Sequence, residues 1–500
     1  MTKAIVLGID SLDPYVLSEY KAALPNFARL MHESPTFFSK SVFPVDTIPA
    51  WASINTGLTP GNHGLLYVYD VFDSTMGDLQ KLSIDSVKGW TFWDYLSRER
   101  YRCVIVFPQL MYPPWDVNGA MVGISPLERR LDWVSTEITI DAYPEHAMAK
   151  HDIPHTLRSL WGGFPGIKHL GEWITLGKAV LETEKTIAMS LSQNESWDLF
   201  FVYFNLLDVI QHRLWRFFDE QDPTYPGITP FKGTILDYYK IIDGFVGDFI
   251  ESYPDASVIV LSDHGHHSRP ARTVNINEFL RRAGYIRAKG NWMAALSKVR
   301  KSILEVSNRL NIEHFLIRLV AINERLTKAG KSVYSSAGLI DKTKSRASLS
   351  NFAGIKSYPQ GGIEINRDLV SEDEYEEIRN ALIASLSELR SPDHEPLMEC
   401  VKSREDVDPG RFCKRIYPDI LFWLADGYGV GWELYSSLYG NAHDHKVASG
   451  GHNKDAVLLL RNIDKEVKDK VPSIVNVAPS ILDLFDVDWK EKRLDGESIF

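Results

Sequence analysis

Cysteine is almost absent. Three residues among 500 (Cys103, Cys400 and Cys413) cannot build a disulfide framework, and their spacing is not that of a thiolate metal site. The expected setting is therefore a reducing, cytoplasmic one. Long hydrophobic runs are missing too: no window approaches the 18 or more apolar residues of a spanning helix. The apolar start Ala4–Ile9 is too short for a secretory signal and reads as a strand. Basic charge is not in excess, since 55 Lys and Arg stand against 66 Asp and Glu, a formal net charge of −11. That balance excludes a generic nucleic-acid coat. Repeats and low-complexity tracts are also lacking, and 44% hydrophobic with 24% charged residues is ordinary globular composition. At roughly 150 residues per domain the length allows about three units, or one large domain with insertions.

Short apolar runs recur at Ala4–Ile9, Cys103–Phe107, Leu199–Phe204, Ser257–Leu261 and Ala456–Leu460. Runs of this length, rich in Val, Ile and Phe, predict strands buried on both faces. Helical stretches at Leu176–Ser192 and Ile235–Ser252 lie between them, so the class is α/β. Two segments break this rhythm. Residues 128–170, rich in Trp, Pro, Gly and His, read as an irregular excursion. Arg281–Lys331 holds twelve basic and three acidic residues, a net of +9, and carries two apolar stripes, one through Leu296, Val299, Ile303, Val306 and Leu310. These predict two helices of an inserted cap. A strand at Gly362–Asn366 and a helix at Glu372–Leu389 follow.

Several of the strand-like runs border Asp or His: Asp10, then Asp208 and His212, then Asp263 and His264, and finally His452 ahead of the last run. Ligands gather at the carboxyl ends of strands in open α/β sheets. Any one of these carboxylates alone would be an ordinary cap or turn residue. Together, three Asp and three His make a donor set suited to two divalent ions, Zn²⁺ first and Mn²⁺ as a substitute. Between Pro44 and Pro49, Thr47 supplies a hydroxyl, and Ala52–Thr56 is expected to open a helix whose amides face an anion. A hydroxyl becomes a competent nucleophile when a metal lowers its pKa. His266-His267 and His443-Asp-His445 are read as solvated loop residues outside the site.

The ordered motifs Gly8-Ile-Asp10, Thr47-Ile-Pro-Ala-Trp-Ala-Ser-Ile-Asn-Thr-Gly57, Asp208-Val-Ile-Gln-His212, Ser262-Asp-His-Gly265 and Gly451-His452 together resemble the type I phosphodiesterase/nucleotide pyrophosphatase family of the alkaline phosphatase superfamily, in its bacterial and archaeal branch. The resemblance implies a central mixed, mostly parallel sheet with helices on both faces and an inserted cap. Residues 1–280 and 411–500 would form the catalytic core. Residues 281–410 would form the cap, divided into a basic helical part, 281–331, and an α+β part, 332–410. It implies one metal on Asp208, His212 and His452, and another on Asp10, Thr47, Asp263 and His264. Thr47 would attack phosphorus and form a phosphothreonine, which water then hydrolyses, cleaving phosphodiester or pyrophosphate bonds.

One departure concerns specificity. Animal-type nucleotide pyrophosphatases carry an Asn after the nucleophile, whereas Ile48, Pro49, Ala50 and Trp51 follow here, leaving Asn55 and Asn205 as polar candidates. A phosphomonoesterase, a phosphonate hydrolase or a head-group phosphotransferase would use the same site. An inactive metal-stabilised binding protein is a further alternative, against which the intact nucleophile and ligand set argue. Nothing resembles the Cys/Ser-x-Pro-x-Arg segment of sulfatases. The expected partner is a small phosphoester, a nucleotide or head-group diester, with no stable nucleic-acid complex. The cations of 281–331 are expected to form a solvated helical face, the alternatives being contact with a polyanionic substrate or peripheral contact with the surface of an anionic membrane.

Overall fold

The computed structural model describes the chain except residues 1, 67–86, 110, 126–128, 131–133, 161–164, 290–338, 351–357, 443–444 and 469–470. The amphipathic stripes of the basic segment, and His443 with Asp444, lie outside the described residues. The strands in chain order are β1 (Ala4–Ile9), β2 (Phe38–Lys40), β3 (Cys103–Val106), β4 (Gly119–Ile124), β5 (Arg129–Arg130), β6 (Thr136–Tyr143), β7 (Thr156–Ser159), β8 (Leu199–Phe204) and β9 (Ser257–Leu261). There follow β10 (Gly265–Ser268), β11 (Arg272–Asn275), β12 (Ala347–Leu349), β13 (Gln360–Ile365), β14 (Met398–Ser403), β15 (Ile420–Leu424), β16 (Tyr428–Gly431), β17 (Tyr439–Asn441), β18 (Gly450–Asn453) and β19 (Asp455–Arg461).

Ten of these make one sheet in the order β2-β19-β9-β1-β8-β3-β4-β6-β5, with β7 paired to β6. Its centre, β9-β1-β8-β3-β4, is parallel, and antiparallel strands flank it on both sides. The fold is thus α/β with a mixed sheet. Both faces are buried, and the period-two alternation of each strand sends its side chains to opposite cores. Ile5, Leu7 and Ile9 pack with the helices Leu170–Asn194, Leu206–Phe218 and Thr234–Ser252 on one face. Ala4 and Val6 meet the helices Thr47–Thr56, Phe92–Arg98 and Val477–Leu484 on the other. No described helix is long and apolar enough to cross a membrane.

Two expectations change. The segment read as irregular contains β6 and β7, an antiparallel pair that extends the sheet. Its signal is the alternating burial of Thr136, Ile138 and Ile140, diluted by the Trp- and Pro-rich surroundings. A smaller sheet, β12-β13-β15-β14, is covered by the helix Glu372–Ser387. Because β15 bonds β13 and β14 directly, the break at 410/411 cuts through this sheet rather than beside it.

On the buried stripe of Leu170–Asn194, Glu184 is 5% exposed, and its Oε2 has no hydrogen-bond partner. Burial pushes its carboxyl from the ordinary 4.5 up to about 8. Between these values the unfolded chain ionises while the folded chain stays protonated, so stability falls as pH rises through the window. Glu184→Gln is expected to match the wild type near pH 4.5 and to exceed it at pH 8 by a few kcal/mol in urea denaturation. Equal differences at the two pH values would refute this account.

Candidate metal centre

Four strand ends converge on one edge of the sheet. Asp10 directly follows β1, with its N–H donating to Phe204 O at the end of β8. Asp263 and His264 follow β9, and Asp208 and His212 lie one turn apart on the helix that leaves β8. His452 arrives by a different route. The ribbon β10-β18 sets it opposite His266, and β19 then runs antiparallel to β9, so a histidine far away in sequence reaches the carboxyl end of β9.

Thr47 is the first residue of the helix Thr47–Thr56, five residues earlier than expected, with Asp46 as N-cap. Pro49 is tolerated there because first-turn amides need no intrahelical acceptor. The Thr47 hydroxyl lies 3.4 Å from Asp10 Oδ1 and 3.3 Å from His264 Nε2. Trp51 on the same helix fits over Gly8, where an added Cβ would meet the indole at 2.5 Å. It also packs edge-on against Tyr203, whose hydroxyl donates to Asp10 Oδ2. The helix that begins at Thr47 is thereby keyed to β1.

The polar groups form two clusters sharing Asp208: Asp208, His212 and His452, and Asp10, Asp208 and His264. Tautomer logic shows what the first requires. His212 Nδ1 lies 2.9 Å from Gly450 O, and His452 Nδ1 lies 3.1 Å from Val45 O, so each Nδ1 carries the proton. Both Nε2 lone pairs then face inward. They are 3.0 Å apart and lie 3.3 and 3.4 Å from Asp208 Oδ1. Lone pairs and a carboxylate at such distances repel unless a cation stands among them. His264 repeats the pattern: Nδ1 is 3.1 Å from Gly265 O, and Nε2 points toward Asp263 Oδ2 at 3.1 Å and Asp10 Oδ1 at 3.9 Å. Asp208 Oδ1 and Asp263 Oδ2 are buried and accept no hydrogen bond. Histidines oriented by backbone carbonyls, with carboxylates beside them, fit a divalent metal.

The electrostatics agree. Burial, reinforced by Asp263 and Asp208, pushes the Asp10 carboxyl well above its usual range, and burial does the same to Asp263. Burial pushes Asp208 up as well, but the charge and hydrogen bonds that His212 and His452 would offer if protonated outweigh it and hold this carboxyl well below the usual range, as a cation standing among them would. Burial, with His452 nearby, keeps His264 neutral.

Thr47, Asp10, Asp208, His212, Asp263, His264 and His452 thus come together at one sheet edge. Asn55 does not join them through any hydrogen bond; it is fully buried in the helix Thr47–Thr56 with both amide atoms unpaired. Asn205 sits at the N-cap position of the helix that carries Asp208, without a side-chain capping bond. His266 overturns its loop reading. It is 1% exposed, its Nδ1 is 2.7 Å from Ser11 Oγ, and the same nitrogen lies 3.7 Å from Asp208 Oδ1. His267, next to it in β10, is half-buried rather than solvated. His445 is also buried, 2.9 Å from Asp222 Oδ2, which in turn accepts from Ser268 Oγ. Sequence reasoning missed Ser11 as well. It adopts φ 62°, donates its N–H to Asp263 Oδ1, and receives Gln211 Nε2 on its carbonyl. The available signals were its place beside Asp10 and the density of histidines after Asp263.

A family model, type I phosphodiesterase / nucleotide pyrophosphatase, matches residues 4–450. No curated protein matches the chain in sequence. Among solved structures, phosphonoacetate hydrolase from Sinorhizobium meliloti 1021 in complex with phosphonoacetate is similar at TM-score 0.52 and 12% identity, covering 95% of this chain and 94% of that one. Its complex with phosphonoformate gives TM-score 0.50 at the same identity and coverage. An inactive form of murine ectonucleotide pyrophosphatase/phosphodiesterase 5 in complex with AMP gives TM-score 0.47 and 13% identity, covering 99% and 100%. At these identities the likeness concerns the fold.

Metal that binds only the folded chain must stabilise it. Zn²⁺ at a hundredfold excess over its Kd is expected to add about 2.7 kcal/mol per site, seen as a rise in Tm that a chelator reverses. Asp208→Asn should lose most of this gain. A Tm insensitive to both metal and chelator would rule the centre out.

Proposed function

Because the chain belongs to the type I phosphodiesterase/nucleotide pyrophosphatase family, we propose that it hydrolyses phosphodiester or pyrophosphate bonds with Thr47 as nucleophile. Asp208, His212 and His452 would hold one divalent ion, and Asp10, Asp263 and His264, with the Thr47 oxygen, another. Zn²⁺ suits this mixed imidazole and carboxylate set, with Mn²⁺ as a substitute. Bound there, the ions supply positive charge where a transferring phosphoryl group and its leaving oxygen carry negative charge.

The observation that carries the reading is the placement of Thr47 Oγ1, within 3.4 Å of both Asp10 Oδ1 and His264 Nε2 at the first residue of a helix. The Thr47 hydroxyl passes its proton to Asp10 Oδ1, 3.4 Å away, and its oxygen forms a bond to phosphorus, while the bond to the leaving alcohol or nucleotide breaks and that group departs on the opposite side, taking up a proton from solvent. Helix geometry leaves the amides of Thr47 and Ile48 without intrahelical acceptors, so they can donate to phosphate oxygens. Water then cleaves the phosphothreonine, restoring the hydroxyl and releasing the phosphate product. Ser11 and Gln211 hold Asp263 and the turn after β1 in place during both steps.

Thr47→Ala and Asp263→Ala are each expected to lower kcat/KM for a nitrophenyl phosphodiester on the order of 10³-fold or more. Chelation should remove wild-type activity, and Zn²⁺ or Mn²⁺ should restore it. Full turnover by Thr47→Ala would sink the covalent route. Parallel rates on a monoester, a diester and a phosphonate decide which phosphorus compound the site prefers.

A further inference from the structure

We propose that Gln360 is a positioning residue through which the smaller sheet fixes both the nucleophile segment and one metal ligand. Its side-chain amide pairs with both backbone groups of a single residue, Val45: Oε1 accepts from Val45 N at 2.7 Å, and Nε2 donates to Val45 O at 3.1 Å. Val45 O is also the acceptor for His452 Nδ1, at 3.1 Å. One carbonyl with two lone pairs therefore takes a donor from the smaller sheet and a donor from the metal centre. Thr47 begins its helix two residues later.

The arrangement is rigid. Gln360 is 2% exposed, and β13 lies so close to β15 that a Cβ at Gly361 would meet the Phe422 ring at 2.4 Å, and one at Gly362 would meet Pro418 at 2.2 Å. Nearby, Tyr417 OH donates to Phe43 O at 2.8 Å, a second fastening of the same segment. Tyr358, on the residues leading into β13, places its ring 5.3 Å from the His452 imidazole. A side chain that reads out a peptide group leaves no motif at its target, because Val45 contributes no side-chain polar atom.

The consequence concerns His452. Its Nδ1–H bond to Val45 O sets the tautomer that turns the Nε2 lone pair toward the candidate metal site, and partners of this kind govern both ligand orientation and basicity. If Gln360 is lost, Val45 keeps its carbonyl but the carbonyl loses its fixed direction, and Thr47 moves with the same segment.

The inference rests on the metal reading above, and its test is a binding isotherm rather than turnover. In the full chain, Zn²⁺ titrations by calorimetry are compared for wild type, Gln360→Ala, Gln360→Glu and Tyr375→Phe. The Glu variant keeps the acceptor for Val45 N–H but loses the donor to Val45 O, which guards against misfolding of the Ala variant. Tyr375→Phe removes a hydroxyl bonded to Asp419 in the smaller sheet, 2.9 Å away, and serves as a structural control. One of the two Zn²⁺ binding events should weaken by about 10- to 100-fold in both Gln360 variants and stay unchanged in the control. With a phosphodiester, kcat should fall by a similar factor while KM moves less than about twofold. Unchanged isotherms, or equal weakening in Tyr375→Phe, would overturn the proposal. A wild-type chain that binds two Zn²⁺ yet hydrolyses no phosphoester would overturn the proposed function while leaving the role of Gln360 to be judged by the isotherms alone.

Discussion

Three buried carboxylates, Asp10, Asp208 and Asp263, stand together with the inward lone pairs of His212, His264 and His452, and among the described residues no Lys or Arg forms an ion pair with any of these carboxylates. In a low-dielectric site this assembly costs several kcal/mol unless cations complete it. The surrounding architecture reads as the means of holding it. The parallel centre of the sheet supplies rigid strand ends. The helix Leu206–Phe218 sets two donors one turn apart, and the β10-β18 ribbon returns a distant histidine to the same edge. Each device places a donor on backbone that cannot relax away from its neighbours.

Strand burial explains why so much of this was legible. β1, β8 and β9 are covered on both faces, so they read as continuous apolar runs, and a charged residue ending such a run is conspicuous. The ordered motifs then pointed to residues that the fold gathers at one sheet edge. The positions that escaped notice share a different logic. His266 looked like a loop residue because Gly265-His-His-Ser268 has no apolar alternation. It becomes a strand only by pairing with β18, nearly two hundred residues later. Ser11 acts through a positive φ and its backbone, and no propensity rule announces either. β6 carries true alternation at Thr136, Ile138 and Ile140 that local composition obscured.

The helix of Thr47 shows how tertiary geometry outranks local preference. Two prolines bracket Thr47, and a reading by propensity delays the helix until Pro49 is past. The fold instead starts it at Thr47, which turns Pro49 into an ordinary first-turn residue. That shift bears on the proposed function as well as on the structure. It puts the hydroxyl and the free amides on the same helix end, while Trp51, wedged over Gly8 and against Tyr203, fixes that end relative to Asp10.

A division of labour between the two sheets follows. In the proposed reading, phosphoester chemistry is tied to the strand ends of the large sheet, whose geometry admits little variation. The substrate's remaining part must meet other surfaces, and the same fold therefore serves several phosphorus compounds. A smaller sheet joined only by flexible linkers could vary freely without disturbing the metals. Here it is instead fastened to the backbone of Phe43 and Val45 by Tyr417 and Gln360. Val45 O also accepts from His452 Nδ1, so in the proposed reading a displacement of the smaller sheet would be felt at a metal ligand and at the nucleophile together. Hydrogen bonds to peptide groups permit the side chains around them to change while the spacing stays fixed. Such coupling is therefore better sought in backbone geometry than in sequence motifs.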